Sequence, residues 1–320
     1  MINKHSFISL AAILLICHSL FAIASLNTEQ QAARDKGLSL YQQHMRESAI
    51  PYLTIASQAG DEQAQYYLGE AIRLNSMYMT EEAAKWYGEA AKQGNLFAML
   101  RLGSNQDACN YLNVCPEDAS SWKEKAIDLA SERARKGDST AMRALYIAGK
   151  GLSWLEKAAE NNDFYAKYVL AGSYQSGKGW FFLPKSREEA ILNLLKSSSE
   201  AGYPPAMFEY YSIIKSENNI EAYKWLERSA NMGYVDAIIE LAANLGGVPN
   251  GYSSTANSIK AAALMQLVVE LSPEDDVLLY MLNEIKEKLN SAQVKESKEL
   301  AVTWKKSHPE LSYFVPVYGF

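Results

Sequence analysis

The segment from Ala83 to Leu102, AAKWYGEAAKQGNLFAMLRL, decides the fold of this chain. Small and apolar residues recur in it at spacings of three and four up to Gly94, which places them on one face of an α-helix. Gly94 stands where that helix should end, because a left-handed residue is nearly free for glycine and costs other residues about 1 kcal/mol or more. Beyond the turn, Ala98 and Leu102 form the inner face of a second helix. The segment therefore predicts a helical hairpin.

The same frame, a glycine or asparagine followed four residues later by alanine, recurs six times along the chain. The anchors are Gly60, Gly94, Gly137, Asn162, Gly202 and Gly233, and the alanines are Ala64, Ala98, Ala141, Ala166, Ala206 and Ala237. A large residue also stands eight positions before each anchor and, in every copy, eight positions after it. A hairpin of this size cannot bury both of its apolar faces alone, so neighbouring copies must stack into one continuous core. The pattern predicts an all-α solenoid of six repeats.

Two stretches carry a resemblance to the Sel-one-like repeat family, a relative of the tetratricopeptide repeat. One is the segment from Ala83 to Gly94; the other is the run Tyr174-Gln-Ser-Gly-Lys-Gly179, followed by Glu189-Ala190, Ala201-Gly202 and Ala206. The resemblance covers roughly residues 48–245. It implies a right-handed α-solenoid of stacked helical hairpins that contacts other proteins, usually without catalysis. Arg133, Asn162 and the shortened interval before Asn162 depart from the family pattern.

The ends of the chain predict export and capping. Lys4, the apolar run from Phe7 to Phe21 and the small-x-small site Ala22-Ile-Ala24 indicate a signal peptide, residues 1–24, that is removed after Ala24. The apolar run is too short for a comfortable membrane span, and no second segment of spanning length follows. In a bacterium, which the style of the repeats suggests, we therefore expect a periplasmic protein.

Helices should close both ends of the array. We expect an N-terminal capping helix in residues 25–47, six repeats in residues 48–245, C-terminal capping helices in residues 246–307 and an aromatic tail in residues 308–320. The apolar positions from Val277 to Leu289 predict one amphipathic C-terminal helix, and Ala292 to Lys306 a second, more charged one.

Composition and motifs argue against most other function classes. The net charge of −6 disfavours nucleic acid, which would need a basic stripe, and favours a neutral or basic protein partner. Gly172 to Lys178 begins like a phosphate-binding loop but ends in Gly179, where Ser or Thr should hold magnesium. The paired carboxylates follow helix N-caps, where negative charge complements the helix dipole. We expect no enzymatic activity, no cofactor and no metal.

Two cysteines remain after cleavage, Cys109 and Cys115, in the longest interval between anchors. An oxidising compartment and an even count favour a local disulfide, although two unpaired thiols remain the alternative. The sequence disfavours a zinc site, because His44 and His308, the two histidines of the mature chain, lie far apart in sequence.

Apolar residues that the repeat does not require are the candidates for recognition. Trp180, Phe181, Phe182 and Leu183 form an insertion that must either tuck under a neighbouring repeat, which we favour, or meet a partner. The tail residues Tyr313, Phe314, Tyr318 and Phe320 should line the solenoid groove or be held by a partner. Five tyrosines fall on core registers of the repeat: Tyr52, Tyr66, Tyr87, Tyr168 and Tyr210. Four others fall at turns or loop positions, where they would serve as contact residues: Tyr78, Tyr203, Tyr234 and Tyr252.

These observations predict an exported, non-enzymatic solenoid that binds a protein. The most specific hypothesis is a periplasmic immunity protein that neutralises a toxic effector of a secretion system, a lipase being one candidate. A scaffold or regulator of envelope assembly or signalling is the alternative. A hydrolase of cell-wall or β-lactam substrates is less favoured.

Overall fold

The computed structural model describes residues 26–104, 119–247 and 257–319. Within these ranges the chain forms sixteen α-helices and a short 3-10 turn, with no strand. In chain order they are α1 (Thr28–Gln42), α2 (Arg46–Gln58), α3 (Glu62–Ser76), α4 (Glu81–Lys92), α5 (Leu96–Gly103), α6 (Ala119–Arg135), α7 (Ser139–Ile147), α8 (Leu152–Glu160), α9 (Phe164–Gln175), α10 (Pro184–Glu200), α11 (Pro204–Ile214), α12 (Asn219–Asn231), α13 (Val235–Gly246), α14 (Ser258–Leu271), α15 (Asp276–Lys286), α16 (Ser291–Ser307) and η1 (Val317–Gly319).

The six predicted hairpins are confirmed, from α2–α3 to α12–α13, each with its turn at one of the six anchors. Every anchor has a positive φ, for example 92° at Gly94 and 62° at Asn162. In four hairpins the residue after the anchor caps the second helix, and its side chain accepts the backbone N–H of the repeat alanine; at the second hairpin Asn95 accepts from Ala98. The spacing of four between anchor and alanine is therefore set by the turn and its cap.

The hairpins stack in sequence order, because each helix from α1 to α14 packs against the helix that follows it. The buried side chains fall into two clusters, one from Leu40 to Leu170 and one from Tyr165 to Trp304. Val169, Tyr174 and Leu194 contact both clusters and so join them into a continuous core. Repeat alanines such as Ala64 and Ala98 are fully buried, which lets the helix backbones approach closely. The predicted α-solenoid is confirmed.

One part of the predicted core register is wrong. Tyr52, eight positions before the first anchor, is 40% exposed, and its counterparts in the other repeats are only partly buried. The residue one position later is buried in every repeat: Leu53, Tyr87, Ala130, Leu155, Leu195 and Leu226. Successive helical residues point about 100° apart, so only one of the two can face the partner helix.

The C-terminal helices complete the array. The two helices predicted after Ser272 appear as α15 and α16, within a few residues of the expected ends. The sequence pattern did not single out α14, which lies before them and is buried along most of its length. It packs against α13, α15 and α16. Its run AAALMQLVV is so uniformly apolar that it shows no helical period.

Candidate protein-binding surfaces

The tail is bound by its own solenoid. Ser312 and Tyr313, adjacent in the chain, bond to opposite ends of the array: the N–H of Ser312 donates to the carbonyl of Gly233 at 2.9 Å, and that of Tyr313 to the carbonyl of Gln42 at 3.0 Å. The N–H of Val235 donates back to the carbonyl of Ser312 at 3.1 Å. Gly233 belongs to the sixth hairpin and Gln42 to α1, so the tail straps the last repeat to the first helix.

We call the surface that receives residues 309–319 the tail groove. It is formed by the C-terminal end of α1, by α3 and α5, and by the turn that begins α13. Gln43 Nε2 donates to the carbonyl of Leu311 at 3.1 Å. Gln42 Nε2 lies 3.5 Å from the carbonyl of Val315. A side chain at Gly233 would not fit, because its Cβ would lie 2.7 Å from the carbonyl oxygen of Glu310.

Tyr318 fills the end of the tail groove with its ring. It stacks on Phe97 with ring centroids 4.1 Å apart and an interplanar angle of 11°, and it meets the edge of Tyr66 at 5.1 Å. Its N–H donates to the hydroxyl of Tyr67 at 3.3 Å, and its carbonyl accepts from the hydroxyl of Tyr66. Buried aromatic contacts of this kind are each worth about 0.5–1.5 kcal/mol beyond area burial.

A buried carboxylate lies beneath Tyr318. Glu70 is fully buried and is paired with two arginines, Arg73 Nη2 at 2.8 Å and Arg101 Nε at 2.5 Å. The hydroxyl of Tyr87 donates to the same carboxylate at 2.7 Å, and that of Tyr66 lies 3.1 Å from it. Arg101 also reaches the tail, because its Nη2 donates to the carbonyl of Gly319 at 2.6 Å. The cluster therefore connects the interior of the first two hairpins to the end of the tail.

The Glu70 cluster is arranged for binding rather than for acid-base chemistry. Burial raises the pKa of Tyr66 and Tyr87 well above the ordinary value, and the Glu70 carboxylate raises both further. Both phenols thus stay protonated and serve as donors. The Glu70 oxygens accept from arginines and tyrosines on both sides, which leaves the carboxylate poorly placed to take a proton from a substrate.

The middle of the tail packs between aromatic rings. Phe314 meets Tyr203 and Tyr234 edge to face, with ring centroids 6.2 and 5.8 Å apart. Tyr313 stacks on His44 at 4.4 Å. Tyr203 and Tyr234, predicted as contact residues at turns, are buried here. Three of the four tail residues proposed for partner binding are thus held by the chain itself.

The surroundings of His44, which stacks on the tail, lower the pKa of its imidazole. Burial lowers the pKa of its imidazole, and Arg46 on α2 lowers it further, while Asp236 on α13 opposes both. The imidazole is therefore favoured in its neutral form where Tyr313 stacks on it.

The tail groove continues past Tyr318 into an open cavity of about 740 Å³. Phe97 and Tyr318 form an apolar part of its wall, and Asp61, Asn95 and Arg133 are among its polar groups. This volume lies within the range of small-ligand sites, about 300–1,000 Å³. The tail thus leaves part of the surface open.

The inserted loop before α10 forms a separate surface. Trp180 and Phe182 are 84% and 82% exposed, and their ring centroids lie 6.4 Å apart. Only Phe181 of the four inserted residues turns inward, where its ring meets the edge of Tyr174 at 4.8 Å. The expectation that the insertion tucks under a neighbouring repeat is wrong for Trp180 and Phe182. Helix α10 begins with a proline at its first position, and the residue before it, Leu183, is extended, so the helix cannot continue back into the loop.

Arg187 fixes this loop in place. Its guanidinium donates to the carbonyls of Tyr174, Lys178 and Gly179 at 2.9, 2.8 and 3.2 Å, and it lies 4.8 Å from the ring centroid of Phe181. Gly179 has a φ of +77°, and a Cβ there would lie 2.8 Å from the ring of Tyr174. The backbone that carries Trp180 is therefore anchored on three carbonyls.

Other exposed apolar residues lie in equivalent loops. Met77 and Tyr78 between α3 and α4, and Ile220 at the start of α12, are 92%, 67% and 76% exposed. Successive helices alternate in direction, so the loops between repeats lie at the edge opposite the anchor turns. We call this the loop edge. Among the residues that the structure describes, its exposed apolar side chains belong to the first, fourth and fifth inter-hairpin junctions.

Some predicted residues cannot be placed. Cys109, Cys115, Tyr252, Phe320 and the expected signal peptide, residues 1–24, lie outside the described residues. The disulfide and the export signal therefore stay predictions.

In residues 26–104, 119–247 and 257–319, no group of three or more His, Cys, Asp or Glu side chains is placed to hold a metal ion. Nor does any helix of the described chain have the length and apolarity needed to cross a membrane.

The fold and the bound tail define a class of molecule, an α-solenoid of helical hairpins with a peptide segment on its surface. No protein-family model and no curated protein matches the sequence. Solved structures of similar fold include a protective antigen of uropathogenic Escherichia coli with an SLR (Sel-one-like repeat) fold, at 16% identity and a TM-score of 0.49; the match covers 88% of this chain and 62% of that one.

Two other solved structures resemble this chain to a similar degree. A Sel1 repeat protein from Oxalobacter formigenes has 19% identity and a TM-score of 0.46, over 87% of this chain and 88% of that one. The immunity protein Pa5087 from Pseudomonas aeruginosa has 19% identity and a TM-score of 0.44, over 67% of this chain and 83% of that one. SLR proteins are thus among the structures this chain resembles, as the sequence predicts. The likeness concerns the fold and not the function.

Proposed function

We propose that this chain is an exported, non-enzymatic solenoid that binds a protein partner through its loop edge, centred on Trp180 and Phe182. The observation that carries the proposal is the exposure of these two rings on a backbone held by Arg187. Exposed aromatic side chains on a fixed backbone lose little entropy on binding, and tryptophan is enriched among the residues that dominate interface energies. Neither ring takes part in the hydrophobic core.

The more specific proposal is a periplasmic immunity protein that binds and neutralises a toxic effector of a secretion system, with a lipase as one candidate. It is supported by the expected export signal, by the net charge of −6 and by the absence of a recognisable enzyme motif in the sequence. An immunity protein needs only tight recognition, and this requirement suits a rigid array with an aromatic pair at its edge.

The partner-binding residues divide between the two surfaces. Trp180 and Phe182 are available in this conformation, whereas Tyr313, Phe314 and Tyr318 are packed against their own chain. We therefore assign the first contact with the partner to the loop edge. Phe181 has a supporting role, because its ring packs beneath the loop against Tyr174.

The test is a growth assay in which the full chain is co-expressed in the periplasm with the secreted toxin encoded beside its gene. We expect the chain to restore growth and the Trp180→Ala/Phe182→Ala variant to fail. With purified proteins, Trp180→Ala alone should weaken binding about 30-fold, which corresponds to about 2 kcal/mol for an interface residue of this kind.

Tyr280→Ala is the matched control. Tyr280 is an aromatic residue on α15 that is 61% exposed and lies outside the loop edge, so its loss should leave rescue and affinity unchanged. The absence of any toxic neighbour together with no rescue would reject the immunity role. A double variant that binds the toxin as tightly as the unaltered chain would reject the loop edge as the contact surface.

A further inference from the structure

We propose that residues 310–319 are a displaceable internal ligand, and that the tail groove accepts an aromatic segment of a partner protein once the tail has left. The groove would then be a second interaction surface, closed in the resting chain. This inference does not depend on the loop edge or on the identity of the proposed toxin.

The tail is held as a peptide ligand is held. Its main chain carries much of the binding: the N–H groups of Ser312 and Tyr313 and the carbonyls of Leu311 and Gly319 all bond to the solenoid. Ser312 also forms a parallel bridge with Tyr234. Main-chain bonds of this kind do not depend on sequence, whereas pockets for side chains give specificity. A foreign segment with the same backbone path can therefore make the same bonds.

The side chains define the chemistry of that segment. Phe314 enters a site between Tyr203 and Tyr234, and Tyr318 stacks on Phe97, four residues further along. The carbonyl that follows is received by Arg101. The groove thus fits a segment that turns at two aromatic residues four positions apart and has a carbonyl placed to accept from a guanidinium.

The tail is an imperfect occupant of this surface. Phe314 and Tyr318 have φ values of 48° and 60°, a left-handed conformation that costs residues other than glycine about 1–2 kcal/mol each. Two buried polar atoms at the end of α1, the hydroxyl of Tyr41 and Oε1 of Gln42, have no hydrogen-bond partner among the described residues. A segment free of this strain, or able to reach these atoms, would bind the groove better than the tail does.

The short connection between α16 and the tail explains how a segment with this backbone strain stays bound. The helix α16 ends at Ser307, and the contacts with the solenoid begin at Glu310, which pairs with Lys36 at 3.7 Å. So short a linker gives the tail an effective concentration in the millimolar range. The tail can therefore exclude weak ligands while yielding to a partner that binds more strongly.

The closing experiment uses the full chain and, as the probe, a fluorescein-labelled peptide with the sequence of residues 309–319. Tyr318→Ala in the chain removes the stack on Phe97 and leaves every residue of the solenoid in place. If the tail is docked in ten of eleven molecules or more, the peptide should bind this variant at least about tenfold more tightly than the unaltered chain. Fluorescence anisotropy measures both affinities.

Three controls make the result decisive. Gln43→Ala, added to the Tyr318→Ala variant, should weaken binding of the peptide, because Gln43 donates to the carbonyl of Leu311. Tyr280→Ala, outside the groove, should bind as the unaltered chain does, and a scrambled peptide should not bind. Hydrogen exchange at the amides of Ser312 and Tyr313 reports the tail itself, and it should be slow in the unaltered chain and faster in Tyr318→Ala.

Three results would overturn the proposal. The peptide could bind the two chains equally, or it could fail to bind a variant whose tail amides exchange rapidly. The third is a dimer that appears as Tyr318 is removed, since the groove would then serve exchange of tails between copies.

Discussion

The substitution Glu70→Gln tests whether the buried carboxylate stabilises the first two hairpins. Glu70 has no exposed surface, and it accepts from Arg73 at 2.8 Å and from Arg101 at 2.5 Å. A glutamine of nearly the same shape must turn its amide N–H₂ toward one set of these donors. Two hydrogen bonds to charged groups are lost or inverted, each worth about 1.5–3 kcal/mol. The two arginine side chains keep 24% and 17% of their surface exposed and can recruit water, so we expect a loss near the lower limit, about 3 kcal/mol.

The assay is hydrogen exchange of the α3 amides around Glu70, because a repeat array need not unfold in a single step. A loss of about 3 kcal/mol in the free energy of local opening corresponds to exchange about a hundredfold faster. The amides of Ser312 and Tyr313 should also exchange faster, since Arg101 joins Glu70 to the tail.

Glu240→Gln is the matched control. Glu240 accepts from the hydroxyl of Tyr211 at 2.7 Å, and Lys215 lies 3.9 Å away, with 32% and 35% of the two charged side chains exposed. An ion pair this exposed contributes less than about 1 kcal/mol. If both substitutions change the opening free energy by the same small amount, the Glu70 cluster does not stabilise the array.

Three further predictions follow from the anchors, the tail and the loop edge. Gly94→Ala should lower the free energy of unfolding by about 1 kcal/mol or more, because Gly94 has a φ of 92°. Asn162→Gly should not lower the stability of the protein, because glycine adopts the left-handed conformation of Asn162 freely. The denaturant midpoints of the two variants and of the unaltered chain test both expectations. Protection of the Tyr313 amide should be constant above about pH 7 and fall as the pH drops below 6.5, because burial depresses the pKa of His44 in the docked state and the released state binds the proton more readily; His44→Gln should abolish this dependence. Trp180→Ala should leave the thermal midpoint unchanged, since the ring is 84% exposed.

The anchors and small residues were predictable because the local backbone conformation determines which residue types fit there. Gly94 and Asn162 end helices in a left-handed conformation, and the alanine four residues later follows from the turn and the cap. The same rules assigned Tyr52 to the core, although it is 40% exposed. Periodicity identifies the apolar stripe of a helix, but which of two adjacent large residues faces the neighbour depends on the crossing of the two helices.

The tail and the inserted loop show what local rules miss. The aromatic content of residues 313–318 suggested either the groove or a partner, and only the return of the chain from Ser307 to α1 selects the groove. The exposure of Trp180 depends on Arg187, whose three bonds to backbone carbonyls hold the loop outward. Nor did the sequence reveal Glu70, because nothing in the sequence of α3 distinguishes it from a surface glutamate or indicates the arginines that pair with it.

The bound tail changes how stability is distributed along this solenoid. In an open array each repeat contacts only its neighbours, and stability is a sum of local terms. Here Ser312 and Tyr313 join the sixth hairpin to α1 through adjacent amides, which adds a contact between the ends that no pair of neighbouring repeats provides. Release of the tail would therefore do two things at once: it would expose the aromatic groove, and it would let the ends of the array move apart. A partner segment that makes the same two main-chain bonds, to Gly233 and to Gln42, would join the ends again, so its binding favours the closed array.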